Sequence, residues 1–286
     1  MLRRTFVGAL PAAMTSMGAE GKWRAGCQTR AFGSPLPQKD RFLAALDDIA
    51  AAGYEGIETN FVSLEHAFDD PGPMRAEFRT RRLELIGLHG SPRLANAEVA
   101  GAEMRKGERI ARGIRALGGA LFVMSGSGVP RTASGQLQGD VLGLWCKNLN
   151  TFGRYCADQG VRLCVHNHAK EVSNNAEELL RVMEGTDGRV VSFVVDVSFF
   201  LDVGLKPEEW VARFAPRLAG IHLRDHKAAK EVVLGEGDLN PEAVAGALRK
   251  AGWSGWVILE LNKRTDRTSR KMIEEARGYM KKRMGV

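Results

Sequence analysis

The chain has 286 residues, 44% of them hydrophobic, which is enough to bury a large core in one domain. It contains no apolar run of about 18 residues, so we expect no membrane-spanning helix and no stable membrane anchor. The net charge is +7, but the basic residues are scattered or gathered on the last predicted helix, which is typical of a solvated helix face. We therefore expect no nucleic-acid partner. The four cysteines lack Cys-x-x-Cys spacing, so the sequence predicts neither a disulfide framework nor a cysteine metal site.

The first 20 residues differ in character from the rest of the chain. Arg3 and Arg4 precede a short apolar stretch, and Met17–Ala19 resembles a small-residue cleavage site. The order Arg-Arg-Thr-Phe-Val resembles a twin-arginine export signal, which carries folded proteins across the inner membrane. We therefore expect residues 1–20 to be such a signal and the mature protein to act in the periplasm or beyond. A merely disordered basic N-terminus is the alternative, and it would leave the protein in the cytoplasm.

The remaining residues, 21–286, repeat one pattern eight times: a short apolar run, a polar turn and a helix-like segment. Such runs, bounded by turn residues, are typical of buried strands. The eight predicted strands are Trp23–Gln28, Gly56–Asn60, Leu83–His89, Ala120–Ser125, Val161–His166, Val190–Asp196, Ala219–Leu223 and Trp256–Leu261.

The segments between these runs have helical periodicity. Apolar residues recur at i, i+3 and i+4 from about Glu103 to Leu117, and Asn240 followed by Pro241 is a typical helix start. Strict alternation of strands and helices indicates parallel strands, and the count of eight predicts a single-domain (β/α)8 TIM barrel over residues 21–286. An open doubly wound sheet is the alternative, but no Gly-x-Gly-x-x-Gly turn follows the first run.

Polar side chains follow the last four predicted strands, at the end of the barrel where active sites form. Carboxylates and imidazoles at consecutive strand ends suit one divalent cation, with Mn, Co, Zn and Mg as the candidates. A helix cap or a salt bridge would explain each residue alone, but several apolar strands that end in uncompensated buried charge would be costly. The predicted ligands are Asp196, His222 and Glu260, with His166 or Glu171 as the fourth.

The order and spacing of these segments resemble the xylose-isomerase-like barrel superfamily, often called sugar phosphate isomerases/epimerases, over about residues 22–285. The resemblance implies a TIM barrel that acts on a small carbohydrate, with one divalent metal held by His166, Asp196, His222 and Glu260. It leaves the reaction open, since members include isomerases, epimerases, dehydratases and a DNA-repair endonuclease. The matching segments are Gly53–Glu58, His166–Glu171, Asp196, Ile221–Asp225, Leu234–Asp238 and Val257–Glu260.

The chain departs from the ketose-epimerase pattern at three positions. His166 stands where those epimerases usually carry a glutamate, as in a subgroup whose strand ends in Tyr-His-Asn-His, although Val165 replaces the tyrosine here. Epimerases of this kind use two glutamates on opposite faces of the substrate, so the second proton carrier would have to be an imidazole or Glu171. Phe199 occupies the place of a frequent substrate-binding histidine, which weakens the transfer of sugar specificity.

The chemistry that the resemblance implies is proton abstraction next to a carbonyl. The metal would act as a Lewis acid, and Glu260 or His166 would remove the proton, with Glu171 as a further candidate base. Arg224 or Lys227 could then steady the oxyanion. The remaining predicted contacts are to substrate, from Glu58, His89 and His168.

Three functions remain open at this point. The first is a metal-dependent isomerase or epimerase of an unphosphorylated sugar, because phosphorylated sugars are scarce outside the cytoplasm. The second is a lyase or dehydratase that acts on a keto-sugar, a keto-cyclitol or a 3-keto-glycoside. The third is a non-catalytic sugar-binding protein. The sequence also leaves the oligomeric state open, with a homo-oligomer as one alternative.

Overall fold

The structure is a computed structural model of the chain and describes residues 23–126, 129, 132 and 140–286. The predicted export signal, residues 1–20, lies outside these residues, so the signal and the periplasmic location remain predictions. None of the helices in the described ranges combines the length and apolar character that crossing a membrane requires.

Eight parallel strands close into one barrel, and a two-stranded hairpin lies outside it. The first strand pairs with both the second and the last, which completes the circle. The predicted single-domain (β/α)8 TIM barrel is therefore confirmed, and the strand bounds differ from the predicted ones by at most two residues. The barrel strands are β1 (Arg24–Gln28), β2 (Gly56–Asn60), β3 (Glu84–Gly90), β4 (Leu121–Ser125), β5 (Arg162–His166), β6 (Val191–Asp196), β7 (Leu218–Leu223) and β10 (Trp256–Leu259), and the hairpin strands are β8 (Asp225–Lys227) and β9 (Lys230–Val232).

Helices alternate with the barrel strands and cover their outer faces. The helix predicted from about Glu103 begins slightly earlier, at Ala100, and ends at Leu117. Gly118 caps it with a φ of 89°, the left-handed conformation that glycine adopts easily. The side chain of Asn240 accepts a hydrogen bond from the backbone N–H of Ala243, as a helix cap does. The helices are α1 (Lys39–Ala51), α2 (Gly72–Thr80), α3 (Ala100–Leu117), α4 (Val141–Asp158), α5 (Ala169–Gly185), α6 (Ser198–Asp202), α7 (Pro207–Phe214), α8 (Pro241–Lys250) and α9 (Ser269–Met284).

The inside of the barrel is filled by a separate apolar cluster, which we call the floor. Because strand side chains alternate between faces, a residue two positions after a floor residue points the same way but lies nearer the carboxyl end of the strand. Cys164 precedes His166 in this way, and Val194 and Ile258 precede Asp196 and Glu260. The fold thus brings these polar side chains to one end of the barrel. The floor consists of Ile86, Leu121, Val123, Cys164, Val194, Ala219, Trp256 and Ile258.

The β8–β9 hairpin was not anticipated, since the residues after Asp225 read as a polar loop. Its two turn residues, Ala228 and Ala229, have φ values of 49° and 56°. A two-residue hairpin turn with both central residues at positive φ normally contains asparagine or glycine, and alanine in this conformation is strained. The hairpin is held by antiparallel pairing of Asp225 with Val232. It carries side chains that belong to the site described next.

Candidate metal centre

Four of the predicted metal ligands meet at the carboxyl ends of β5, β6, β7 and β10, which we call the mouth. His166, Asp196, His222 and Glu260 each offer one ligand atom, and these atoms all lie within 4.8 Å of one another. None of the four residues is more than 2% exposed. Groups of this kind are rarely buried together unless they are paired or coordinate a cation. The structure therefore brings together the set for which the sequence predicted a metal.

His166 is oriented by the neighbouring strand. Its Nδ1 lies 3.2 Å from the backbone oxygen of Val194, to which the N–H donates, so the lone pair lies on Nε2. Burial lowers the pKa of His166 well below its usual value, and the positive charge of His222 acts in the same direction. A neutral imidazole whose second nitrogen is fixed by a carbonyl is the form in which histidine binds a metal.

One carboxylate oxygen of Asp196 accepts hydrogen bonds, and the other faces the cluster of metal-ligand side chains. Its Oδ1 accepts hydrogen bonds from the backbone N–H and the hydroxyl of Ser198, at 2.9 and 2.6 Å. Its Oδ2 has no hydrogen bond of acceptable geometry, although Arg224 Nε lies 3.0 Å away. Asn167 explains why a polar residue separates the two histidines of β5, because its side-chain amide pairs with the backbone N–H and oxygen of Asp196, at 3.0 and 3.1 Å.

His222 and Glu260 approach each other closely without forming a hydrogen bond. His222 Nδ1 lies 2.6 Å from Glu260 Oε2, yet neither atom has a partner of acceptable hydrogen-bond geometry. An N–H that points away from its neighbour contributes little even at a short distance. Buried polar atoms nearly always have a partner. Three ligand atoms that lack one, on Asp196, His222 and Glu260, fit a cation held between them.

The charges of the mouth also fit a cation. Burial acts to lower the pKa of His222, but Glu58 and Glu260 outweigh it and raise that pKa to about 10. For Glu260 burial acts in the opposite direction, and Arg224 and His222 outweigh it, so its pKa lies well below the usual value. Glu260 is therefore an ionised carboxylate, and a divalent cation would take the place of the proton on His222 Nδ1.

Glu58 lies deeper than the sequence suggested. We predicted a contact with substrate, but the side chain is fully buried and its Oε1 lies 2.8 Å from His89 Nε2 and 2.9 Å from His222 Nε2. These three residues form a second group of metal-ligand type. Neither contact has acceptable hydrogen-bond geometry, so Glu58 acts on His222 mainly through its negative charge. It lies beside Nε2, as carboxylates commonly do behind metal-binding histidines, and leaves Nδ1 to the four-ligand cluster. The other ring nitrogen of His89 contacts Ser125 Oγ at 3.0 Å.

Comparison with known proteins agrees with this architecture. The family model described as xylose isomerase-like TIM barrel matches residues 46–283. The chain belongs to this family. An inosose dehydratase from Clostridium botulinum is 22% identical over 79% of this chain and 83% of its own length.

Similar solved structures show the fold alone, because their sequence identity to this chain is low. A D-allulose 3-epimerase from Methylomonas sp. has a TM-score of 0.77 at 15% identity, covering 91% of this chain and 97% of its own. A 3-keto-D-glucoside 4-epimerase from E. coli has a TM-score of 0.73 at 15% identity, covering 91% of this chain and all of its own.

Arg224 connects the ligands of this xylose isomerase-like barrel to the hairpin. It is 5% exposed, and its Nη2 lies 2.6 Å from Glu260 Oε1. Its Nη1 donates to Glu231 in β9 at 3.3 Å, and Glu231 also accepts hydrogen bonds from the backbone and side chain of Asn262. Sequence reasoning missed Glu231, Asn262 and Arg30, whose Nη1 lies 3.9 Å from Glu260 Oε1. Nothing local in the sequence marks these residues, since they meet only across the closed barrel.

The two predicted residues beyond β5 occupy different positions. Glu171 Oε2 accepts the backbone N–H of His168 at 2.9 Å, so it caps α5, and it is not part of either group of metal-ligand type among the described residues. The His-x-x-Glu spacing of a capping box was the signal for this role. The side chain of His168 is 45% exposed, and its ring centroid lies 5.0 Å from that of His166. His168 is therefore open to a ligand in the mouth, whereas Glu171 is engaged.

Phe199 forms one wall of the mouth, at the position where family epimerases often carry a histidine. Its ring lies 5.3 Å from His168 and 5.6 Å from His226, and the guanidinium of Arg224 lies 5.6 Å from its centre. Lys227, which we predicted to steady an oxyanion, is exposed on the hairpin next to its turn. Its role stays a prediction.

Proposed function

We propose that this protein is a divalent-metal-dependent lyase. It would remove a proton next to the carbonyl of an unphosphorylated keto-sugar, keto-cyclitol or keto-glycoside and then expel a leaving group from the adjacent carbon. The observation that carries the proposal is the buried convergence of His166, Asp196, His222 and Glu260 within 4.8 Å. That this substrate is unphosphorylated rests on the predicted export signal.

The four residues would hold the metal through His166 Nε2, Asp196 Oδ2, His222 Nδ1 and Glu260. When bound, a divalent cation would supply Lewis-acid polarisation of the substrate carbonyl. The protein's own part is to hold two of these side chains in place: Asn167 and Ser198 hold Asp196, and the charge of Glu58 lies behind His222. Such support fixes ligand geometry before the substrate arrives.

Glu260 is the candidate base in this proposal. It is ionised, and Arg224 Nη2 lies 2.6 Å from one of its oxygens. A carboxylate near the substrate can accept the carbon-bound proton, and a buried guanidinium beside it can stabilise the negative charge that the carbonyl oxygen acquires. Arg224 forms ion pairs with Glu231 as well as with the two ligand carboxylates, Asp196 and Glu260.

The supply of bases favours elimination over epimerisation. Inverting a carbon by the two-glutamate route needs a second carboxylate on the opposite face of the substrate. His166 replaces the usual glutamate, and Glu171 is engaged in capping α5. Elimination needs one base for the carbon-bound proton, which Glu260 supplies. The similarity to inosose dehydratases over most of the chain supports the same choice.

Epimerisation is the second candidate, and His168 is the observation that favours it. Its half-exposed imidazole lies above His166 at 5.0 Å between ring centroids. An imidazole that is open to a ligand in the mouth could act as the second acid–base group that epimerisation needs. Sugar binding without catalysis would use the same mouth and is an outcome of the test below.

The test is proton exchange followed by NMR in D₂O. The protein is loaded with Mn, Co, Zn or Mg and incubated with keto-sugars, keto-cyclitols and 3-keto-glycosides, and the metal is chelated before spectra are taken. Loss of water or of an aglycone supports the lyase. Deuterium in a product whose carbonyl has moved or whose carbon has changed configuration, without loss of a leaving group, establishes isomerase or epimerase chemistry instead. Binding without exchange or turnover overturns both in favour of a sugar-binding protein.

A further inference from the structure

His226 and Asp202 form an imidazole–carboxylate pair in the wall of the mouth that the metal centre does not use. His226 Nδ1 lies 2.9 Å from both carboxylate oxygens of Asp202, which is the last residue of α6. Both side chains are less than 10% exposed. The other ring nitrogen, Nε2, is buried and has no hydrogen-bond partner. An unpaired buried nitrogen is costly, so this atom calls for a polar group from a ligand.

Alternation of side chains along the strand places His226 on the side of the wall that faces the mouth. Arg224, Asp225 and His226 are consecutive at the end of β7 and the start of β8, where side chains alternate between faces. Asp225 points away from the mouth, since its carboxylate accepts the backbone N–H groups of Gly235, Gly237 and Leu239. Arg224 points into the mouth. His226 comes two residues later, so it lies on the same side and further out.

Phe199 links this pair to the rest of the mouth. Its ring meets His226 edge-on at 5.6 Å and His168 at 5.3 Å, and it lies against the guanidinium of Arg224. A substrate that spans the region from Glu260 past Arg224 thus reaches the wall that contains His226. The arrangement differs from that of a lone surface histidine, because Asp202 holds Nδ1 and leaves Nε2 as the ring nitrogen without a partner.

We propose that His226 is the acid that protonates the departing oxygen of the substrate, with Asp202 as the residue that positions and stabilises its imidazolium. The proposal rests on the lyase function above and assigns its second proton transfer. Glu260 and His226 then act on two different atoms of one substrate, the first on the carbon next to the carbonyl and the second on the leaving group.

The proton and electron balance is that of a simple elimination. The C–H bond next to the carbonyl breaks, its proton goes to Glu260, and its electron pair forms the new carbon–carbon double bond. The bond between the adjacent carbon and the leaving oxygen breaks, and that oxygen keeps the electron pair and takes a proton from His226 Nε2. Solvent later returns a proton to His226 and removes one from Glu260, so no oxidant or reductant is needed.

The test compares leaving groups that differ in their need for a proton. The probes are methyl 3-keto-β-glucoside, whose alkoxide leaves only when protonated, and 4-nitrophenyl 3-keto-β-glucoside, whose phenolate leaves readily. The variant His226→Asn keeps a donor for Asp202 but has no proton to give. We expect it to lose about 10²- to 10⁴-fold in kcat with the methyl glycoside and less than about tenfold with the nitrophenyl glycoside.

Two further measurements separate this role from a structural one. Deuterium exchange next to the carbonyl should persist in His226→Asn, because Glu260 is intact, and Asp202→Asn should show the same dependence on the leaving group. His66→Asn, at an exposed histidine in the loop after β2, is the matched control and should behave as wild type. Equal losses with both glycosides would show that His226 only holds the hairpin and would overturn the proposal. A wild-type protein with neither exchange nor elimination would overturn the proposed function itself, and the acid role with it.

Discussion

The floor and the mouth of the barrel are built on the same strands and differ in what they require of their side chains, and along β5, β6 and β10 the two kinds of residue lie two positions apart. Cys164, Val194 and Ile258 fill the floor and are at most 2% exposed, so they contribute through burial of apolar surface. His166, Asp196 and Glu260 are as deeply buried but polar, so they contribute only when their charges are compensated. One strand can therefore stabilise the barrel with one residue and supply a functional side chain with the next residue on the same face.

The largest effect is expected when the charge of Glu260 is removed while the shape of its side chain is kept. Glu260→Gln should reduce turnover of an identified substrate by about 10²- to 10⁴-fold, because the variant has no carboxylate to accept the proton. Thermal unfolding should show a folded barrel. Glu242→Gln, which alters an exposed carboxylate paired with Arg283, is the control and should retain activity. Full activity in Glu260→Gln would show that another group is the base.

A change in the floor should lower the stability of the protein and leave its metal affinity unchanged. Ile258→Ala removes a side chain that is fully buried among the floor residues, so we expect the free energy of unfolding to fall by about 2–5 kcal/mol. Ile258→Val should cost about 0.5–1.5 kcal/mol. Urea unfolding gives both values, and metal titration should give an unchanged affinity for the folded variants. A variant that kept its stability but lost metal would show that floor and mouth are not separable.

Adding a metal should stabilise the protein through the mouth alone. A cation that binds only the folded state raises the free energy of unfolding by about 2.7 kcal/mol at a free concentration 100 times Kd. We expect Mn²⁺ or Zn²⁺ to raise the unfolding temperature of the chelated wild-type protein, and His222→Ala to abolish the increase. His66→Ala serves as the exposed control. An undiminished increase in His222→Ala would place the cation elsewhere.

The parts of this architecture that the sequence predicts are those with a repeating signal. Eight apolar runs give the barrel, and the polar residues at their ends give His166, Asp196, His222 and Glu260 as neighbours. Strand alternation predicts which face each of these residues points to, since it depends only on the local chain. On β5, β6 and β10 the same alternation places a floor residue two positions before each mouth residue, although the sequence analysis did not predict the floor.

The contacts that the sequence does not predict depend on the closed barrel. Asp202 and His226 lie 24 positions apart on different segments and meet only because α6 packs against β8. Glu58 reaches His222 across the barrel. The hairpin turn at Ala228 and Ala229 contains no asparagine or glycine from which it could be predicted. Only the pairing of β8 with β9 accounts for its positive φ values.

The smallest effect expected concerns Cys164, which places an ionisable group in the floor. Burial raises the pKa of Cys164 to about 12, from an ordinary value near 9.0, so the thiol stays neutral in the folded barrel. A pKa that is higher in the folded state favours folding fully below pH 9 and less as the pH rises towards 12. We expect no reaction of the native protein with a thiol reagent at pH 8, reaction of all four free cysteines after unfolding, and a gradual loss of stability above pH 9. Rapid labelling of Cys164 in the native state would mean that solvent enters the floor, and the separation of floor from mouth would fail at β5.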